Sequence, residues 1–317
     1  MEQARKIKVG ISIGDPNGIG IEVILKIFQE KELFEFFTPI LYGNMKLISF
    51  QKRHLNLKTS LSPYREGGKL SPNQVNVVDV WNNLFTTDFG KSTEEGGHHA
   101  LKSLKAATKA LKENKVDVLV TAPIDKHNIQ SESFKFPGHT DYLAQAFDED
   151  ALMFLVHPDL KVALVTDHVA VKDIARHITP DRVAQKLKAV AHSLQQDFGI
   201  PNPRIAVLGL NPHAGDEGVI GEEEVNLLEP MLQTHQIDKT EISGPFSADA
   251  FFGSQSYKNY DGILAMYHDQ GLIPFKTLSF GEGVNFTAGL SAVRTSPDHG
   301  TAFGIAGTGQ ALSLIHI

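Results

Sequence analysis

Cysteine is absent from all 317 residues of this chain. Its absence excludes disulfides, thiolate nucleophiles and cysteine-ligated zinc or iron–sulfur sites, so a bound metal has to use His, Asp or Glu. No apolar run approaches the ~18 residues that a membrane-spanning helix needs. The start, Met1-Glu-Gln-Ala-Arg-Lys6, leads into a strand-like segment without a signal-peptide core, and the expectation is a cytoplasmic protein. Positive charge is in deficit, with 30 Lys and Arg against 37 Asp and Glu and a formal net charge of −7. A broad nucleic-acid surface, which needs clustered cations, is therefore not expected.

What is present suits a soluble globular chain: 41% hydrophobic and 21% charged residues, at a length that allows two domains with separate cores. Strand-like and helical patterns alternate along the chain without internal repeats, which points to α/β layers with helices on both sheet faces. Strand patterns are read at Lys6–Ile13, Pro39–Tyr42, Val75–Val80 and Val116–Thr121. Helical spacing is read over Glu22–Glu30, Ser92–Glu113 and Glu222–Leu232, with a further helix capped by Thr179-Pro180-Asp181 and stopped by Gly199. Within these, His98 and His99 are expected to be solvated, and Glu222-Glu-Glu224 to complement a helix amino terminus. The segment Ser62–Asn73 reads as loop.

Gly14-Asp-Pro-Asn-Gly-Ile-Gly20 lies between a strand and a helix, where backbone N–H groups can cradle an anion. Its spacing is not that of a dinucleotide fingerprint, and a plain tight turn remains the alternative. Phe136-Pro-Gly-His-Thr140 precedes a helix from about Asp141, with His139 and Thr140 as donors for a phosphate or carboxylate and Thr140 as the helix cap. Near the end, Gly283-Val-Asn285, Arg294-Thr-Ser296 and Asp298-His-Gly-Thr-Ala302 are rich in glycine and donors, and the guanidinium fork of Arg294 suits an anionic ligand.

Three apolar runs end in a histidine. Ile263–Met266, bounded by Gly262 and Gly271, is followed by His268, Asp269, Gln270 and Lys276. Val162–Thr166 is followed by Asp167 and His168, and Ile205–Leu210 by Asn211, Pro212 and His213. Open α/β sheets bind ligands beyond the carboxyl ends of their strands. Three imidazoles with an open position suit a catalytic divalent metal, three ordinary loop histidines being the competing reading. No pair of them has helical spacing, so the fold must assemble the site.

Taken together, Gly14–Gly20, Phe136–Thr140, Thr166-Asp-His168, Gly209-Leu-Asn-Pro-His-Ala-Gly215, Ala265–Gly271 and Arg294-Thr-Ser-Pro-Asp-His-Gly300 resemble the 4-hydroxythreonine-4-phosphate dehydrogenase family, in order over nearly the whole chain. The resemblance implies metal ligation by His168, His213 and His268. It implies substrate binding by His139, Thr140, Lys276, Asn285 and Arg294, and a homodimer whose metal site draws histidines from both subunits. A more distant likeness, carried by Gly14–Glu22 and His299–Gly309, is to isocitrate and isopropylmalate dehydrogenases. It implies two α/β/α-layered domains with a cleft between them: residues 1–125 plus 277–317 on the nucleotide side, and 126–276 carrying most metal and substrate loops. Cofactor contacts are expected from His299, Gly300, Ala306 and Gly307. Ile21 stands where many relatives have proline. Family members continue past Gly309 into a further helix, whereas this sequence ends Ala311-Leu-Ser-Leu-Ile-His-Ile317, and the expectation is either a truncation or an appended, non-native tail.

The implied chemistry is NAD- or NADP-dependent oxidation of 4-phosphooxy-L-threonine, with zinc, magnesium or cobalt as the divalent metal, followed by decarboxylation. Asp167 and Asp269 are expected to orient the ligands, and Lys276 to act as general base with Asp269 as its rival. The alternatives are a paralogue acting on D-threonate or D-erythronate 4-phosphate, and a non-catalytic metal- and sugar-phosphate-binding protein.

Overall fold

The computed structural model describes residues 5–311, so the departure after Ala311 lies outside the described residues. The chain forms two units: the stretch ending at Asp148 together with the stretch beginning at Ser291, and Glu149–Leu290 between them. These borders differ from the expected 125/126 and 276/277. Helix packing moves the first, because Phe134, Phe136 and Tyr142 cluster with Leu101 and Leu104. Strand pairing moves the second, because Val284–Ala288 pairs with Leu152–His157. His139 and Thr140 thereby fall in the first unit and Asn285 in the second.

The first unit holds β1 (Ile7–Ser12), β2 (Phe37–Gly43), β3 (Leu61–Pro63), β4 (Val75–Asp79), β5 (Val118–Thr121) and β12 (Arg294–Pro297). They pair in the order β3-β4-β2-β1-β5-β12, all parallel. Crossovers are supplied by α1 (Gly20–Ile27), α2 (Leu33–Phe36), α3 (Met45–His54), α4 (Glu94–Lys112) and α5 (His139–Phe147). Ile21, Ile24 and Leu25 of α1 pack with Val9, Ile11 and Ile13, and α4 packs along β1, β2 and β5. Parallel strands covered this way read as apolar runs, as β2 does. Strands β3 and β12 come from segments read as loop or donor-rich tail.

The helix read over Ser92–Glu113 begins at Glu94 with Thr93 as its cap, the hydroxyl accepting from Gly96 N at 3.0 Å. His99 is the exception to the solvated reading, being 1% exposed. Its ring stands edge-on to Trp81 and Phe85 at 4.6 and 5.0 Å, and burial lowers its pKa.

The second unit holds β6 (Leu152–His157), β7 (Leu160–Leu164), β8 (Arg204–Leu208), β9 (Glu241–Phe246), β10 (Gly262–Ala265) and β11 (Val284–Ala288). Their order is β11-β6-β7-β10-β8-β9, with antiparallel pairs at β11-β6 and β6-β7 and parallel pairs from β7 onward. Its helices are α6 (Ile174–His177), α7 (Pro180–Gln196), α8 (Glu229–Thr234), α9 (Ala248–Gly253) and α10 (His268–Ser279). The predicted cap at Thr179 is present, accepting from Arg182 N at 3.3 Å.

Alternation in β10 explains the layering. Ile263 and Ala265 join the α10 residues Leu272 and Phe275 in one cluster, while Gly262 meets Leu194 and Val190 of α7. Successive strand residues face opposite sides, so α10 and α7 cover opposite faces. Gly271 is not a turn but lies inside α10, where a Cβ would come within 2.7 Å of Leu164 Cδ2.

Candidate metal centre and anion site

Strands β7, β10 and β8 are parallel neighbours, so their carboxyl ends lie side by side. Asp167 and His168 follow β7, His268 opens α10 directly after β10, and Asn211-Pro-His213 follows β8. The rings of His168 and His268 approach to 6.2 Å between centroids. Asp269 Oδ1 lies 2.7 Å from His268 Nδ1, and Asp167 Oδ2 lies 3.5 Å from His168 Nδ1. A carboxylate beside Nδ1 favours the tautomer whose lone pair is on Nε2, the arrangement of metal-ligating histidines. The hydrogen bond from His168 holds the Asp167 carboxyl well below the usual range, so it stays a carboxylate.

His213 does not join that pair. Among the described residues no group of three or more His, Asp or Glu is placed to hold a metal ion. His213 sits instead by Asp249, whose carboxyl is lowered first by a hydrogen bond from Ser247 and further by His213. The donor chemistry fits a borderline divalent cation: imidazoles steered by carboxylates, with no thiolate in the chain. Of the two candidate bases, Asp269 is engaged in orienting His268. Lys276 is exposed in the last turn of α10, eight residues and ~12 Å of helix rise beyond His268.

In the first unit, Arg294 opens β12 and is 1% exposed. Its Nε and Nη2 donate to Thr121 Oγ1 at 3.1 and 2.5 Å. Burial pushes the guanidinium down to about 9, which leaves it cationic at neutral pH. His139 begins α5 with Nε2 sealed from solvent and without a hydrogen-bond partner. Burial, then the charges of Arg294 and Lys126, hold its pKa well below normal, so the ring is neutral. Gly138 is the N-cap and contributes no side-chain bond, and Thr140 lies within the first turn rather than capping it. A helix start without a side-chain cap, in reach of two cations, is a place for an anion.

Asn285 lies in β11 of the second unit, and its Oδ1 is buried without a partner. In the first unit, His299 Nδ1 is 2.9 Å from Gly300 O, while Nε2 is buried and unpartnered. Ala306 packs with Ile19 and Val23, and His54 Nε2 is 3.0 Å from Gly307 O, so this end of the loop is anchored by packing.

In the Gly14–Gly20 turn most N–H groups are already taken, which favours the plain tight turn over an anion cradle. Asp15 N donates to Pro123 O, Asn17 N to Asp15 Oδ1, Gly18 N to Asp15 O and Ile19 N to Thr301 O, all within 3.0 Å. Gly14 is obligatory there, with φ +69° and a notional Cβ 2.2 Å from Pro123 O.

Sequence reading missed Thr121 and Lys126, which act through contacts from distant segments. It also misread Glu224, which is fully buried and accepts from the N–H groups of Leu210 and Asn211, both at 2.7 Å, instead of facing its own helix start. The only local hint was the length of the acidic run.

Comparison with known proteins identifies the family. Residues 35–314 match the family model described as pyridoxal phosphate biosynthetic protein PdxA. The chain is 46% identical over 311 residues to a 4-hydroxythreonine-4-phosphate dehydrogenase of Bacteroides thetaiotaomicron, covering 98% of this chain and 85% of that protein. It is 36% identical to a protein of Oceanobacillus iheyensis provisionally named D-threonate 4-phosphate dehydrogenase, covering 96% and 93%. The crystal structure of the 4-hydroxythreonine-4-phosphate dehydrogenase of Klebsiella pneumoniae superposes with a TM-score of 0.86 at 33% identity, covering 99% of this chain and 95% of that one. With the histidine-ended strands in place and matches of this extent, the chain belongs to the PdxA family of 4-hydroxythreonine-4-phosphate dehydrogenases.

Proposed function

We propose that the protein oxidises the C3 hydroxyl of 4-phosphooxy-L-threonine to a ketone, reducing NAD or NADP. The product, 2-amino-3-oxo-4-(phosphooxy)butanoate, then loses carbon dioxide to give 3-amino-2-oxopropyl phosphate, a step in pyridoxal phosphate formation in the cytoplasm. The observation that carries this reading is the β7-β10-β8 arrangement, with two carboxylate-steered imidazoles 6.2 Å apart.

His168 and His268 of one chain, with His213 from a second copy, would hold the divalent cation. When bound, zinc, cobalt or magnesium acidifies an alcohol and polarises a ketone, assisting both oxidation and decarboxylation. Asp269 and Asp167 keep the rings oriented. The C3 hydroxyl proton passes to one of the two candidate bases, Lys276 or Asp269, of which Asp269 stands beside His268. Arg294, His139 and Thr140 bind an anionic group of the substrate, the first by charge and the others by hydrogen bonds from the start of α5. Asn285 Oδ1 accepts a hydrogen bond from the substrate, and the nucleotide lies at His299, Gly300, Ala306 and Gly307.

The homodimer reading is supported by exposed apolar side chains a few residues after each histidine. Val171 is 83%, Val219 81% and Ile273 62% exposed. Large apolar side chains left in water beside a ligand site favour burial against a second copy.

The relative from Oceanobacillus iheyensis favours D-threonate 4-phosphate as the second reading. Measuring NADH and NADPH formation with metal-loaded protein separates the two. We expect 4-phosphooxy-L-threonine to exceed D-threonate and D-erythronate 4-phosphates by about 10²-fold or more in kcat/KM, since a site that pairs an ammonium rejects its hydroxyl analogue. The reverse order gives the second reading. No reduced cofactor with any of the three would leave a non-catalytic binding protein.

A further inference from the structure

The turn that carries His213 has a backbone that its own residues resist. From His213 to Glu217, five consecutive residues have positive φ: 55°, 51°, 81°, 47° and 53°. Only Gly215 among them adopts that region freely. Such a run persists only where its surroundings over-determine it.

Two side chains supply the determination. Glu224, fully buried, projects from a π-helical turn at Glu224–Leu228, a feature that often marks functional places. Its Oε1 accepts from Leu210 N and Asn211 N at 2.7 Å each, and its Oε2 accepts from Asn211 Nδ2 at 2.8 Å. Glycines make room for this carboxylate on both sides. A Cβ on Gly215 would lie 2.7 Å from Oε2 and one on Gly209 3.1 Å from Oε1.

Gln270 acts from the other direction. The parallel ladder of β10 and β8 ends at Leu264↔Val207, before either strand reaches its histidine. Beyond it, Gln270 Oε1 accepts from Met266 N at 2.7 Å and its Nε2 donates to Gly209 O at 2.6 Å. The side-chain amide thus takes the place of a ladder rung where the two chains diverge, one toward His268 and the other toward His213.

We infer that Glu224 and Gln270 are positioning residues for the metal centre: together they fix the His213 turn against the strand that delivers His268. The inference rests on the metal reading above. Each bonds to backbone two to four residues before a proposed ligand, so relaxing either lets a ligand loop reorient while the sheet stays intact.

The test is titration of cobalt(II) into the full-length apo protein, followed by calorimetry and by the visible ligand-field spectrum. Gln270→Met keeps the volume but loses both bonds. Glu224→Gln puts an amide donor against Asn211 Nδ2. We expect each to weaken cobalt affinity about 10- to 100-fold and to alter the ligand-field bands, as loss of outer-shell partners does. Gln270→Glu restores the acceptor but not the donor to Gly209 O, and should recover part of the loss. A merely structural role would lower Tm and leave affinity and bands of the folded protein unchanged. That result in Gln270→Met, alongside lost cobalt binding in His213→Ala, overturns the inference and spares the metal reading. Unchanged cobalt binding in His213→Ala overturns both. Should Glu224→Gln fail to fold, Gln270→Met and Gln270→Glu decide alone.

Discussion

The two units present their polar groups in opposite ways. In the second, the side chains of His168 and His268 are 49% and 41% exposed, each with a carboxylate at its back. In the first, Arg294 is 1% exposed, and His139 Nε2 is sealed away from water with no partner. A cation needs lone pairs that it can reach, and the proposed ligands stand at strand ends with their rear nitrogens engaged. An anion gains most from donors already stripped of water, because removing solvent strengthens each contact. Under the proposed function, sheet-end positions would serve two opposite solvation strategies.

The comparison breaks most visibly at the histidines. His268→Ala should cut metal-dependent turnover by on the order of 10³-fold or more while circular dichroism stays native, because Lewis-acid assistance amounts to several kcal/mol. In the other unit, Arg294→Lys keeps the charge but loses the fork. Its kcat/KM should fall by about 10²-fold, mainly through KM, checked by steady-state kinetics beside a thermal melt. Asp269→Asn sharpens the point about engaged rear nitrogens: cation affinity should weaken about 10- to 100-fold by calorimetry, with Tm nearly unchanged.

The smallest effect concerns pH. The fold holds His139 neutral, with its pKa lowered by burial and then by Arg294 and Lys126. The unfolded chain binds the proton at an ordinary ~6.5. The stabilisation is therefore complete above that value and is lost as pH falls toward the lowered folded value. His139→Gln should flatten the acid limb of a Tm-against-pH curve below pH ~6.5. Some slope remains, because buried His99 titrates in the same direction.

The histidine pair was legible because its signal is local. An apolar run followed by His is visible in sequence, and the parallel-sheet rule says where such ends point. The adjacency of His168 and His268, the α/β layering and the cap at Thr179 came through that way. Glu224 did not, because a helix-start acid and a buried acid look alike until the loop at Leu210 is folded against it. His99 was misplaced for the same reason, since Trp81 and Phe85 reach it from another segment. Strands β11 and β12 were hidden by glycine and polar content that their paired neighbours tolerate. The unit borders depend on Phe134, Phe136 and Tyr142 packing onto α4, a long-range choice that leaves no trace in periodicity.

Gly271 carries one more implication. With Leu164, Val162 and Ala265 all within 3.1 Å of a notional methyl, hydrogen is the only substituent that lets α10 press flat on its sheet. The stand-off of that helix also fixes the height of its first residue, His268. An absent carbon, three positions along the chain, therefore works as the gauge that sets how far the imidazole extends past the strand end.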